Sequence, residues 1–324
     1  MTSQAAAFWV RRPGVGEIRP VTLPVPGPDE VLVRATHSGV SRGTEALVFT
    51  GRVPPGQYER MRAPFQEGEF PGPVKYGYLS VGVVELGPEH LRGRPVFCLY
   101  PHQSAYVVPA GAVTVVPDGV PPARAVLAGT VETAVNACWD AGPLIGDRIT
   151  VVGGGMVGCS LAAVLAGLPG ARVTLVDDDE SRAAVAGVLG VAFATPGQAP
   201  DGQDLVFHTS ASGEGLALAL RVLRPEGEVI ELSWYGDRPV PVPLGEAFHS
   251  GRLAVRASQV GAVAPARRGA RRPADRLALA LDLLRDARFD ALLSGESTFA
   301  ELPVLLPALA ARERPAICHV ITYD

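Results

Sequence analysis

Ile149-Thr-Val-Val-Gly153-Gly154-Gly155-Met156-Val157-Gly158 decides the fold of this 324-residue chain. An apolar strand runs straight into Gly153, Gly155 and Gly158, spaced as G-x-G-x-x-G, and an apolar helical stretch follows to Gly167. Each glycine has its own task at such a junction. Gly153 permits the tight turn, Gly155 lets a pyrophosphate approach the backbone, and Gly158 lets the helix pack close on the strand. The N–H groups at the helix start, those of Met156 and Val157 among them, then meet the phosphates with the positive end of the helix dipole behind them. In a chain with 37 glycines the spacing alone says little, but here the strand and the helix that the mechanism requires flank it directly. The next strand, Arg172-Val-Thr-Leu-Val-Asp177, ends in a carboxylate 19 residues after Gly158. Asp177 at that place accepts hydrogen bonds from ribose hydroxyls and repels a 2′-phosphate. Asp178 and Asp179 add to the repulsion and Arg182 slightly weakens it, so NAD(H) is the expected cofactor.

Outward from this motif the chain alternates. Helix Glu180–Leu189, strand Leu205–Thr209, helix Gly213–Leu223 and strand Glu228–Leu232 are expected downstream, which means a doubly wound parallel sheet with helices on both faces. Ser210, Ser233, Trp234 and Gln259 fall at or beyond the ends of its later strands, the edge at which such sheets bind ligands, and complete the expected cofactor site. Upstream, Pro121–Trp139 reads as one Ala-rich helix. Before it come short strands broken by Pro and Gly: Ala5–Val10, Glu17–Leu23, Glu30–His37, Leu79–Leu86, Arg94–Leu99 and Ser104–Val108. After Val260 an Arg-rich loop leads to a helix at Pro273–Asp286, then a helix at Phe299–Ala311 and a strand at Ile317–Thr322. The expected division is a dinucleotide-binding domain over 126–261 and a β-rich domain over 1–125 and 262–324.

Bulk properties narrow the function. A net charge of -4 and 47% hydrophobic residues argue against a nucleic-acid partner, which would need a basic field. No apolar run approaches the roughly 20 residues of a membrane span. MTSQAAAFWVRR reads as a first strand and not as a leader, so a cytoplasmic protein acting on a small-molecule substrate is expected. Cys98, Cys138, Cys159 and Cys318 lie too far apart for metal-ligand spacing and read as buried thiols. Lys75 is the one lysine among 29 basic residues. A chain that otherwise uses Arg keeps an ammonium there, and a desolvated ammonium can lose its proton near neutrality where a guanidinium cannot.

Ser38-Gly-Val-Ser-Arg-Gly-Thr44-Glu45, Gly77-Tyr-Leu-Ser-Val-Gly-Val-Val-Glu-Leu-Gly87, Ser104-Ala-Tyr-Val-Val-Pro109 and Thr133-Ala before the glycine motif, in that order, resemble the medium-chain dehydrogenase/reductase superfamily. Val74-Lys-Tyr-Gly-Tyr78, the run from Pro101 to Pro109, and Phe248-His-Ser with Ser258-Gln-Val-Gly261 look like the branch of the bacteriochlorophyllide hydroxyethyl dehydrogenase. The resemblance implies a Rossmann unit joined to a GroES-like catalytic domain, an NAD-dependent alcohol dehydrogenase or ketoreductase, and a homodimer paired through edge strands, with Val240–Leu244 as the candidate edge. It also exposes departures. Where the zinc enzymes of the superfamily carry their ligands, this chain has Ser41 or Arg42, Tyr78 and Gly129. Such residues do not form a thiolate and imidazole shell, so no metal is expected.

Without a Lewis acid, carbonyl reduction needs a proton donor and an oxyanion stabiliser. Lys75 is the preferred proton carrier, Tyr78 the second donor and Thr44 a relay hydroxyl. His102, in the loop before Ser104–Val108, either shuttles a proton, binds substrate, or serves as a bonded loop histidine. Glu45 and Glu132 read as structural partners of Arg, and His37, His208, His249 and His319 as structural. Gln57–Phe70, with Tyr58, Met61, Phe65 and Phe70, forms a lid or packs on the domain surface. Three functions stay open: interconversion of a secondary alcohol and ketone of a specialised metabolite, NAD(P)H-dependent reduction of an enone- or quinone-type C=C bond, and dinucleotide binding without catalysis. Asp177 speaks against the second, whose family representatives commonly prefer NADP.

Overall fold

The computed structural model describes residues 4–324, which divide into two compact units. One is Thr130–Leu292; the other runs to Gly129 and resumes at Leu293–Asp324.

Among the described residues, six parallel strands build the sheet of the Thr130–Leu292 unit. In spatial order they are Ala192–Ala194, Arg172–Val176, Arg148–Val152, Gln203–His208, Leu223–Glu231 and Ala254–Ala257. Numbered along the chain this is 3-2-1-4-5-6, the order of a dinucleotide-binding sheet. The order reverses between Arg148–Val152 and Gln203–His208, so the glycine turn after Val152 and Thr209-Ser210 after His208 lie at the switch point. Ile149–Val152 is buried throughout, because helices cover such a sheet on both faces.

The expected domain boundary at 261/262 falls inside this unit, which continues to Leu292. The reason is visible at Arg276, on the helix Pro273–Leu283. Its buried guanidinium bonds Glu132 at 2.9 Å, Asn136 at 2.5 Å and the Val260 carbonyl at 2.6 Å, tying that helix to Ala128–Ala141. Burial raises the pKa of the Glu132 carboxyl and Arg276 lowers it again, with burial prevailing. Further on, Arg288 donates to the Leu189 carbonyl at 2.9 Å.

The β-rich unit centres on the strand Glu30–Val40. Along one side it pairs with Ser80–Leu86; along the other it pairs first with Ala105–Pro109 through Glu30–Arg34, then with Cys318–Thr322 through His37–Val40. The change of partner falls at residues 35–36, and it brings the loop before Ala105 and the chain after Thr322 to the same stretch of backbone. Ala35 N–H donates to the Ser104 carbonyl and Tyr323 N–H to the Thr36 carbonyl. Val31, Val33, Val84, Val96, Tyr106 and Val108 form the core beneath. A second sheet orders Val15–Thr22, Gln4–Arg12, Val74–Lys75 and Glu67–Gly68.

Three expectations change. The stretch Pro121–Trp139 is two helices, Pro122–Ala125 and Ala128–Ala141. Phe299–Ala311 opens as a 3-10 turn and becomes α-helical only at Leu302. Val240–Leu244 forms no strand: Pro239, Pro241 and Pro243 cannot donate to a ladder, and Ala254–Ala257 is the edge instead. The segment 57–70 packs down, with Tyr58 on Phe70, Phe70 on Tyr76 and Phe65 on Tyr100 at centroid distances of 5.6, 5.7 and 5.3 Å.

Candidate functional site

At the switch point of the parallel sheet each glycine shows the constraint its place predicts. Gly153 has φ +110°, and a Cβ there would lie 2.7 Å from the Ser210 nitrogen. A Cβ on Gly158 would stand 1.8 Å from the Gly153 carbonyl oxygen, an impossible approach for any side chain. Around Gly155 no protein atom comes within 4 Å of a built Cβ, which leaves the backbone there open to a ligand. Thr209 Oγ1 donates to the Gly153 carbonyl at 2.8 Å and locks the turn against the neighbouring strand.

Asp177 ends its strand beside this turn. One carboxylate oxygen accepts from Gly154 N–H at 2.5 Å and the other from Asp179 N–H at 2.8 Å. Burial raises its pKa, the two backbone bonds oppose that, Asp178 adds to it, and the net shift is upward. Asp178 is exposed, whereas Arg182 lies back over Gly154 and pairs with Asp179 at 3.2 Å. The Met156 side chain is buried and Val157 half-buried, so each can offer a ligand chiefly its N–H.

Of the later cofactor candidates, Ser210 brings its backbone to the glycine turn while its hydroxyl turns under the helix Gly213–Arg221 to meet His208 Nε2 at 2.7 Å. Ser233 Oγ accepts from Ala211 N–H at 3.1 Å, Trp234 is half-buried, and exposed Gln259 caps Gly261 N–H at 2.7 Å. His208 Nδ1 lies 2.7 Å from Glu231 Oε2, which also accepts from the Tyr235 hydroxyl at 2.9 Å. Burial works against the ionised Glu231, but the bonds from His208 and Ser233 outweigh it and hold the carboxyl below its ordinary pKa.

In the β-rich unit the structure gathers three of the four expected catalytic residues and sets the fourth apart. Ser41 stands at the N-cap position of the helix Arg42–Phe49, and Glu45 folds back so that its Oε1 accepts Ser41 N–H at 2.7 Å. The other carboxylate oxygen of Glu45 lies 2.8 Å from His102 Nε2. His102 Nδ1 is 2.7 Å from Ser38 Oγ, and Ser38 Oγ is 2.9 Å from the Tyr323 hydroxyl. With a carboxylate at one end, the assignment that satisfies every group has Nε2–H donating to Glu45, Ser38 donating to Nδ1 and Tyr323 donating to Ser38. Tyr78 faces this chain. Its phenol is pushed up to about 12, by burial first and the Glu45 charge second, while hydrogen bonds with Ser41 and Thr44 oppose the rise.

Glu45 is therefore a partner of histidine and not of arginine, a role its place in the sequence does not reveal. Ser38 and Tyr323 were equally unmarked, lying 285 positions apart. Glu132 does pair with an arginine, as expected.

Lys75 belongs to a different cluster. Its side chain is fully buried, and its ammonium bonds Glu67 Oε1, Gln103 Oε1 at 2.7 Å and the Tyr100 hydroxyl at 3.5 Å. Burial lowers its pKa, and Glu67 partly restores it. Three donors on one nitrogen meet three acceptors, with the Tyr100 ring 5.2 Å away.

Solved structures identify the architecture. One, described as a zinc-binding dehydrogenase from Sinorhizobium meliloti and bound to NADP, aligns over 99% of both chains with a TM-score of 0.77 and 17% identity. An alcohol dehydrogenase from Escherichia coli complexed with NADH aligns over 99% of both with a TM-score of 0.78 and 15% identity. The fold is that of the medium-chain dehydrogenases. Its two parts are a Rossmann unit and a β-rich GroES-like unit, as the resemblance implied. A curated sequence, the 2-desacetyl-2-hydroxyethyl bacteriochlorophyllide A dehydrogenase of Cereibacter sphaeroides, is 37% identical over 76 residues. That match spans 22% of this chain and a fifth (20%) of the other protein. No family model matches.

A zinc shell does not fit this medium-chain fold's residues. At the three positions matched to ligands stand Ser41 at a helix start or its neighbour Arg42, a phenol engaged with Ser41 and Thr44, and Gly129, where even a Cβ would come within 2.6 Å of Leu79. Among the described residues no three His, Cys, Asp or Glu side chains gather where a metal ion could sit. No described helix is long and apolar enough to cross a membrane.

Proposed function

We propose that this protein is an NAD(H)-dependent, zinc-independent oxidoreductase that interconverts a secondary alcohol and a ketone. The observation that carries the proposal is the meeting of Tyr78 and Thr44 with the Glu45–His102–Ser38–Tyr323 hydrogen-bond chain. The chemistry a bound nicotinamide supplies is transfer of a hydride to or from carbon. The residues fitted to hold the coenzyme are the glycine turn, the N–H groups opening the helix Met156–Leu165, and Asp177 at the adenosine ribose.

In the direction of reduction, Tyr78 donates its O–H to the carbonyl oxygen and gives up the proton as negative charge develops there. Thr44, hydrogen-bonded to the phenol, steadies its direction. The Glu45 charge disfavours the phenolate, so a proton returns to Tyr78 from bulk water once product leaves, and Ser38 and Tyr323 hold His102 in the tautomer that donates to Glu45. Lys75, saturated by its three partners, anchors Gln103 next to His102 in place of carrying the proton itself. If two copies pair sheet to sheet, the exposed edge Ala254–Ala257 is the strand available for it.

A screen of NADH and NADPH oxidation over ketones, aldehydes and enones, with metal analysis of the same sample, tests this. Ketone turnover with NADH and no stoichiometric zinc is expected. Turnover confined to enones, or one zinc per chain, refutes it.

A further inference from the structure

Arg182 and Asp177 straddle one point of the glycine turn. A Cβ built on Gly154 would lie 3.0 Å from Arg182 Cγ and 3.1 Å from Asp177 Oδ2. The aliphatic stem of Arg182 therefore lies over Gly154, alongside the carboxylate assigned to the ribose. Its side chain is only 11% exposed, which is low for an arginine at the first turn of a surface helix. The guanidinium does not turn toward Asp177. Nη2 pairs with Asp179 Oδ2 at 3.2 Å, and the other Asp179 oxygen is fixed by Ser181 N–H at 3.0 Å.

A guanidinium held in this neighbourhood is the group that would receive a 2′-phosphate, since its planar fork matches a phosphate's oxygens. Here that guanidinium is already paired with Asp179. Asp177 and Asp178 are then left to repel the extra phosphate of NADP, while the plain ribose of NAD meets no such penalty.

We infer that Asp179 is the specificity-determining residue of the coenzyme site, acting as a latch that keeps Arg182 from a 2′-phosphate and so sets the preference for NAD over NADP. This rests on the proposal that the glycine turn binds a nicotinamide dinucleotide. Asp177 supplies the ribose contact in either state; the Asp179–Arg182 pair decides whether the same pocket tolerates two further negative charges.

Calorimetric titration of NADH and NADPH into the wild type, Asp179→Asn, Asp179→Glu and the double variant Asp179→Asn/Arg182→Met tests the latch without relying on turnover. Asparagine keeps an oxygen for Ser181 N–H but loses the charge that holds the guanidinium. NADPH should then bind about tenfold or more tighter, one charge-assisted contact's worth, with NADH changed by less than about threefold. The gain should vanish in the double variant, and Asp179→Glu should keep the original preference. If the wild type binds NADH and Asp179→Asn leaves the NADPH-to-NADH ratio unchanged, the latch is overturned while the coenzyme site stands. A gain that survives loss of Arg182 overturns it equally. No heat with either coenzyme on any of the four proteins removes both the latch and the site.

Discussion

In the Rossmann unit, the residues that would grip a dinucleotide all come from the single stretch Gly153–Arg182: a turn, a helix start, a strand end and the next helix start. In the β-rich unit, Ser38, Glu45, Tyr78, His102 and Tyr323 meet from five separate places, because the strand Glu30–Val40 changes partners midway along one side. One network is set by local backbone geometry and tolerates no added atoms at its tightest point. The other is set by register between distant strands and is made of side-chain hydrogen bonds. The contrast separates residues the fold needs from residues the proposed chemistry would use.

The strongest way to break that contrast lies within the glycine turn itself. Gly158→Ala forces a Cβ to 1.8 Å from the Gly153 oxygen and should cost about 3 kcal/mol of stability together with NADH binding. Gly155→Ala adds a methyl into open space and should leave urea denaturation unchanged while weakening NADH. Equal losses at the two positions would mean the turn does not discriminate packing from ligand approach.

In the other unit the prediction inverts. Tyr78→Phe should lower kcat by about 10²- to 10⁴-fold, the usual worth of a positioned general acid. The NADH dissociation constant and the melting temperature should hardly move. A variant with full kcat would return the proton to another donor, Lys75 first among them.

A smaller effect concerns pH. Burial lowers the pKa of both His37 and His319, more than the nearby Glu296 raises it; Arg314 also lowers His319 and Glu301 opposes that. The unfolded chain accepts protons near the ordinary histidine value of about 6.5, where the folded chain still resists them. Stability is thus fully present above that value and declines as pH falls through the lower folded values. Melting temperatures at pH 7.5 and 5.5 should show this decline in the wild type and a shallower one in His37→Asn or His319→Asn. A decline of the same size in both variants would remove these two histidines as its source.

Much of the Rossmann unit was legible because its signals are short in range. Strand, glycine turn, helix and terminal carboxylate follow one another, and each constraint acts between near neighbours. Beyond that range the reading weakened. The helix Pro273–Leu283 looked like a return to the first domain until Arg276 reached Glu132, 144 positions back, and joined it to the second. Val240–Leu244 carried apolar residues suited to an edge, and its alternate prolines overruled them.

By itself, the sequence determined the doubly wound sheet, the turn at Gly153–Gly158 and the carboxylate at the end of the next strand, since each follows from backbone sterics at adjacent positions. Tertiary structure alone decided that Glu45 belongs to His102 and that Lys75 is committed to Glu67 and Gln103. A side chain's partner depends on which distant strand or neighbouring turn the fold lays against it, and residue types along the chain carry no record of that choice.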